Sequence, residues 1–339
     1  MRGATVAAGL FALYCSSAYI LAGIYNFQIK YDLYNRVSYV GIIFPIMTLL
    51  LGMLYTLARE RPDRPFNHLK KKIIDDWVVS EKIVYGFPHF VLIVVFFSFY
   101  SSIKSAISNI QPFYFDSYAA NLDGMLHGVD PWRPLHAVFG GEISTWTIGV
   151  LYNLWVPVVF GTLAFVLFVL NNNHLRGRFV ISFLLTWSLL GSFSAIVFSS
   201  VGPCYNERFF GDPRFAPLMA ALDGIDRTLP LLTRSTQEYL YNAYQTAEPG
   251  LGTGISAFPS LHVASAMLVC LFAWNFGPFW KAAGILFVAA ILVGSVHLGW
   301  HYAVDGYASI AAVSLIWLAV GRVLRPSANP NISIPDTLN

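Results

Sequence analysis

Charge is scarce in this chain of 339 residues: Asp, Glu, Lys and Arg make up 12% of it, against 56% hydrophobic residues. A water-soluble globular domain carries about twice that share of charge, so the composition excludes one. Cysteine is scarcer still, with three in the chain. Cys15 and Cys270 fall inside apolar runs and only Cys204 lies outside them, which excludes a disulfide framework and a cysteine metal cluster. Internal repeats and low-complexity tracts are absent, and only the tail from Pro326 to Asn339 reads as disordered.

Long apolar runs are abundant. About 20 mostly apolar residues cross the hydrocarbon as a helix, and such runs occur near 4–24, 38–58, 87–107, 146–170, 179–200, 258–276, 282–298 and 304–323. The chain therefore reads as an all-α integral membrane protein with about eight transmembrane helices. The first run is too long for the apolar stretch of a secretory signal, and no clear small-residue cleavage pattern follows it, so it reads as an anchor.

Short loops rich in Lys and Arg stay cytoplasmic. With both termini cytoplasmic, thirteen Lys and Arg fall on the inner side, seven on the outer side, and Lys104 inside a span. The basic stretch from Arg59 to Lys72 adjoins a span, so it reads as a topology signal next to anionic headgroups rather than a nucleic-acid site. Lys104 and His89, in or beside an apolar run, read as snorkelling or packing residues. Two long segments, 108–145 and 201–257, fall on the outer side. The two motifs that carry chemistry fall there too.

The first motif is His297-Leu-Gly-Trp-His301-Tyr-Ala-Val-Asp305. Residues four apart share a helix face, so Asp305 can reach the His301 ring. A carboxylate on one ring nitrogen fixes the tautomer and supports the charge that grows when the other nitrogen attacks. His297, one turn earlier, shares that face and either lines the site or bonds the backbone. The second motif is Phe258-Pro-Ser-Leu-His262, at the start of a span, where Ser256 or Ser260 can cap the helix and the free N–H groups make an anion site. A phosphate held there has His262 within reach as general acid, with His301 attacking from the opposite side. This chemistry calls for no metal and no cofactor.

Pro259-Ser-Leu-His262 and His301-Tyr-Ala-Val-Asp305 resemble the type 2 phosphatidic acid phosphatase superfamily, whose members carry Pro-Ser-Gly-His followed by a His and an Asp four apart. Phe-Pro-Ser-Leu-His with His-Tyr-x-x-Asp is most similar to the branch containing inositol phosphorylceramide synthases. The resemblance implies a six-helix core over 86–325, preceded by two helices in 1–85 and followed by the tail 326–339. It also implies that His301 is the nucleophile, Asp305 its orienter, and His262 the general acid and base. The substrates implied are a lipid-phosphate or phospholipid donor in the bilayer and an acceptor that is water, an alcohol or a lipid.

The common pattern has Ser-Arg six residues before the nucleophile, where this chain has Gly294-Ser295, and its upstream Lys-x6-Arg-Pro is missing. Arg208 or Arg214 is the candidate replacement charge. The segment from Asp123 to Arg133, with Asp130 and Trp132, is either a headgroup or acceptor contact or an interfacial packing element. The competing class is a lipid transporter or scaffold on the same helices, against which all three reactive positions are filled.

Overall fold

A computed structural model describes residues 2–31, 53, 57, 60–72, 81–246 and 252–324. Among these residues every regular element is helical. In chain order the main helices are α1 (Arg2–Tyr25), α2 (Glu81–Ile110), α3 (Asp116–His127), α4 (Trp132–Phe139), α5 (Glu142–Asn153) and α6 (Trp155–Phe168). They are followed by α7 (Asn173–Val197), α8 (Ala216–Thr228), α9 (Leu232–Gln245), α10 (Leu261–Ala273), α11 (Pro278–His297) and α12 (Ala303–Val323).

Among the described residues six crossings are long and apolar enough to span a membrane: α1, α2, the α5–α6 pair, α7, α11 and α12. The apolar helix α10 is shorter, ending with a final tight turn at Phe276. It is enclosed by neighbours instead of lipid, and nine of its thirteen residues are buried. The apolar run near 38–58 and the tail from Pro326 lie outside the described residues.

From α2 onward the crossings alternate in direction, so the long connections that follow α2, α7 and α11 fall at one end of the bundle. Helices α3 and α4 link α2 to α5 there; α8 and α9 link α7 to α10; the turn 298–302 links α11 to α12. His262 and His301 stand at that same end. The short connections from α6 to α7 and from α10 to α11 lie at the opposite end.

Helix α10 is the axis, packed on α11, α12, α7 and α6, while α1 closes the far flank against α7 and α2. Lipid tails are as apolar as leucine, so helices in a bilayer associate through close packing more than through apolar burial. At Gly284 the backbone of α11 presses against α10, and a Cβ there would stand 2.9 Å from Cys270 Cα. Within α7, Thr186–Ser194 is wound as a π-helix, the kind of local insertion common beside functional sites. It turns Gly191 toward α10, where a Cβ would overlap Leu261 and Tyr100.

Candidate active site

The reversal between α11 and α12 is tied to a single carbonyl. Trp300 N and His301 N donate to Ser295 O at 2.9 and 3.1 Å, and the Ser295 hydroxyl turns back to Leu292 O at 2.8 Å. Ser295, at the position where the resembling phosphatases carry an arginine, thus holds His301 by its backbone carbonyl, while its side chain bonds within α11. Helix α12 then begins, and Asp305 in its first turn reaches back: Oδ2 accepts from Tyr302 N at 3.1 Å and from His301 Nδ1 at 3.3 Å. Both side chains are buried, Asp305 wholly and His301 to 4% exposure. With Nδ1 on Asp305, His301 Nε2 is left without a protein partner among the described residues. A carboxylate bonded to Nδ1 fixes the orientation of the ring and leaves Nε2 on its far side.

His262 faces it. The two imidazoles lie edge to face with centroids 5.7 Å apart, and His262 is backed by Trp155 at 4.4 Å and Tyr152 at 5.1 Å. Trp155 Nε1 donates to Ser265 Oγ at 2.6 Å, one turn along α10 from His262, and so fixes the indole. Ser260 is the cap of α10, its Oγ accepting from Val263 N at 3.4 Å. Its own N–H donates to Asp305 O at 3.4 Å, so the starts of α10 and α12 are bonded directly to each other. Ser256, four residues earlier and half-buried, is not the cap.

Two carboxylates of α3 hold the same turn from the other side. Asp123 accepts from Ala303 N at 2.7 Å and Val304 N at 2.9 Å, satisfying the otherwise free N–H groups that open α12. Asp116 accepts from Gly202 N at 2.8 Å, from Val201 N at 2.9 Å and from the Tyr302 hydroxyl at 3.0 Å. Burial pushes both carboxyls above their ordinary range, and these N–H and O–H donors pull against it. Asp123 was expected at an acceptor or headgroup site; its carboxylate instead caps α12.

The loop before α10 is clamped in turn. Ser200 O and Oγ accept from Ala257 N at 3.0 Å and Phe258 N at 2.8 Å, and Cys204 N donates to Gly299 O at 2.8 Å. Gly202 sits at φ +88°, where a side chain is strained and a Cβ would overlap the Trp300 carbonyl. From α9, Gln237 Nε2 donates to Leu298 O at 3.0 Å.

The other candidates are engaged away from the histidine pair. Arg208 makes a two-pronged pair with Glu238 at 2.6 and 2.9 Å and lies over Tyr241. That pairing raises the Arg208 pKa and lowers that of Glu238. Arg214 binds Asp130 at 2.6 Å, Asn121 Oδ1 at 2.9 Å and Ala120 O at 2.8 Å, so Asp130 also serves within the fold. His297 stacks on His136 with centroids 4.1 Å apart and bonds the Thr145 hydroxyl at 2.9 Å. Reading residues in sequence missed Asp116, Tyr302, Trp155 and Gln237. One signal was available: Asp116 and Asp123 are seven apart, two turns on one helix face.

A sequence model of the PAP2 superfamily matches residues 125–319, more than half of the chain and inclusive of both histidine motifs. No curated protein and no solved structure matches the chain.

Removing the α12 cap has a defined cost. Asp123→Ala leaves two buried N–H donors unpaired and is expected to destabilise the protein by about 2 kcal/mol. Thermal unfolding in detergent should show a lower midpoint for Asp123→Ala and a smaller drop for Asp123→Asn, which keeps one acceptor. Equal midpoints for Asp123→Ala and wild type would remove the cap from the account.

Proposed function

The chain belongs to the PAP2 superfamily, and on that premise we propose that it is a membrane phosphotransferase working through a phosphohistidine on His301. Membership points to phosphatase or phosphotransferase chemistry on lipid phosphates within a bilayer. The observation that carries the finer reading is the pairing of His301 Nδ1 with Asp305, which leaves Nε2 unengaged opposite the His262 ring.

In this reading His301 Nε2 attacks phosphorus in line. An N–P bond forms as the P–O bond to the departing group breaks, and His262 gives that oxygen a proton. The Nδ1–H bond to Asp305 stabilises the charge that develops on His301. The N–H groups that open α10 beside Ser260 face the phosphoryl oxygens. In the second step the acceptor oxygen attacks phosphorus, the N–P bond breaks, and His262 takes the acceptor's proton. Arg208 and Arg214 have no part in the step, since both are committed to carboxylates of the fold.

An alcohol as acceptor makes the protein a headgroup transferase, and water makes it a lipid phosphatase. The likeness of Phe258-Pro-Ser-Leu-His262 and His301-Tyr-Ala-Val-Asp305 to the inositol phosphorylceramide synthase branch favours the transferase. Ser295 in place of the phosphatase arginine supports the same choice. The excess of Lys and Arg on one side supports a site on the extracytoplasmic face, with both termini cytoplasmic.

Turnover tests the nucleophile. His301→Ala is expected to lower kcat by several orders of magnitude with the fold intact, while Asp305→Asn loses less because the attacking nitrogen remains. Near-normal turnover in folded His301→Ala protein would refute the mechanism. Sidedness is read with a thiol probe that cannot cross membranes. The native cysteines are buried or half-buried; a cysteine at exposed Ser235 should label from outside, and one at exposed Asn171 only after the membrane is opened. The reverse pattern would invert the topology.

A further inference from the structure

At the histidine end of the bundle lies a cavity of about 590 Å³ between the segment after α1, the last turns of α2, the end of α9 and residues 253–255, which lead into the start of α10. Its lining is polar: Lys30 and Lys104 supply two ammonium groups, and Ser105, Ser108, Asn109 and Gln245 supply hydroxyls and amides. Among the described residues the lining holds no Asp or Glu, and neither lysine is ion-paired among them. A cavity with two positive charges and no negative one favours an anion, the more so where bilayer and protein keep the local dielectric low.

The cavity is linked to the site through the segment that leads into α10. Lys104 Nζ donates to Gly252 O at 3.1 Å and Ser105 Oγ meets Thr253 Oγ1 at 3.1 Å, so α2 grips the segment that leads to Ser260 and His262. Gly254, at φ +97°, lies so close to α2 that a Cβ would overlap the Lys104 carbonyl. One turn below Lys104, Tyr100 meets Leu261, the neighbour of His262, over Gly191. Lys104 is also within electrostatic range of the His262 ring. Lys30 is held in place by its backbone N–H on Ser102 Oγ at 2.9 Å.

We propose that this cavity takes a second oxyanion, a carboxylate or phosphate carried on the headgroup whose phosphorus reacts at His301, with Lys30 and Lys104 selecting anionic over zwitterionic headgroups. The assignment rests on the phosphotransferase reading for the word headgroup; the anion site itself does not. Lysine suits the task as a mobile point charge on a flexible stem. Lys30 and Lys104 reach the cavity from different elements, so they can hold one group from two sides.

Binding without turnover tests this separately from the reaction. The full-length His301→Ala protein, in nanodiscs of phosphatidylcholine, is titrated with O-phosphoserine and with phosphoethanolamine, which differ by one carboxylate. O-phosphoserine is expected to bind at least about tenfold more tightly. Lys30→Gln and Lys104→Gln should each bring the ratio close to one, with unfolding midpoints kept near the parent. Lys30→Gln is decisive, because Lys104 alone is near enough to His262 to act on the reacting phosphate as well. Equal affinities in the parent, no binding of either compound, or a preference that survives Lys30→Gln would overturn the proposal. A second arm uses nanodiscs rich in phosphatidylglycerol. If the preference vanishes there while thermal stability rises in a Lys30-dependent way, the cavity belongs to bilayer lipid and the substrate assignment is overturned. Failure of wild-type protein to turn over any phospholipid would instead defeat the phosphotransferase reading and leave the binding result standing.

Discussion

The start of α12 is a helix end buried inside the protein, and its free N–H groups must be paired there or pay the full cost of desolvation. Asp305 takes Tyr302 N from within the helix, and Asp123 takes Ala303 N and Val304 N from α3. The solution sets the position of His301, because the carboxylate oxygen that caps the helix is the same one that meets His301 Nδ1. Cap and orienting group are one atom, so the reactive imidazole is no more mobile than the helix terminus. The other oxygen, Oδ1, is buried without a hydrogen bond, a cost accepted at a position where the pair with His301 needs a dry surrounding.

From that terminus the remaining architecture follows in layers. The Asp305 carbonyl receives Ser260 N, which brings the start of α10 and therefore His262 opposite His301. Asp116 and the Ser199–Cys204 segment brace both strands of the turn, and Gln237 on α9 holds Leu298. Helices α3, α8 and α9 lie outside the spans, yet they are structural supports of the site more than a roof over it. Their charged residues, Arg208, Arg214, Asp130 and Glu238, are committed to one another in pairs that hold these helices together.

The His301–Asp305 pairing and the Ser260 cap were legible in the sequence because each is local. A His and an Asp four apart must share a helix face, and a Pro-Ser before an apolar run must open a helix, whatever surrounds them. Six of the eight expected crossings were legible because length and apolarity alone define them. What stayed hidden depends on contacts across more than 80 residues: the cap from Asp123 to Ala303, the brace from Asp116 to Gly202, and the Arg214–Asp130 pair. Lys104 reads as a snorkelling side chain in sequence, since nothing local reveals that α2 ends against the approach to His262. Carboxylates and guanidinium groups are ambiguous for a general reason. The same side chain binds a ligand or a helix end with equal ease, and only tertiary distance decides which.

The central claim is that His301 Nε2 carries the phosphoryl or phospho-headgroup between donor and acceptor. Wild-type protein in nanodiscs, mixed with a donor lipid labelled at phosphorus and quenched within milliseconds, answers it by peptide mass spectrometry under alkaline conditions that spare phosphohistidine. The account predicts an acid-labile, base-stable adduct on the peptide containing His301, absent from His301→Ala and appearing no later than product. Product formed at the normal rate with no adduct on His301 at any time, or an adduct on His262 instead, would contradict it.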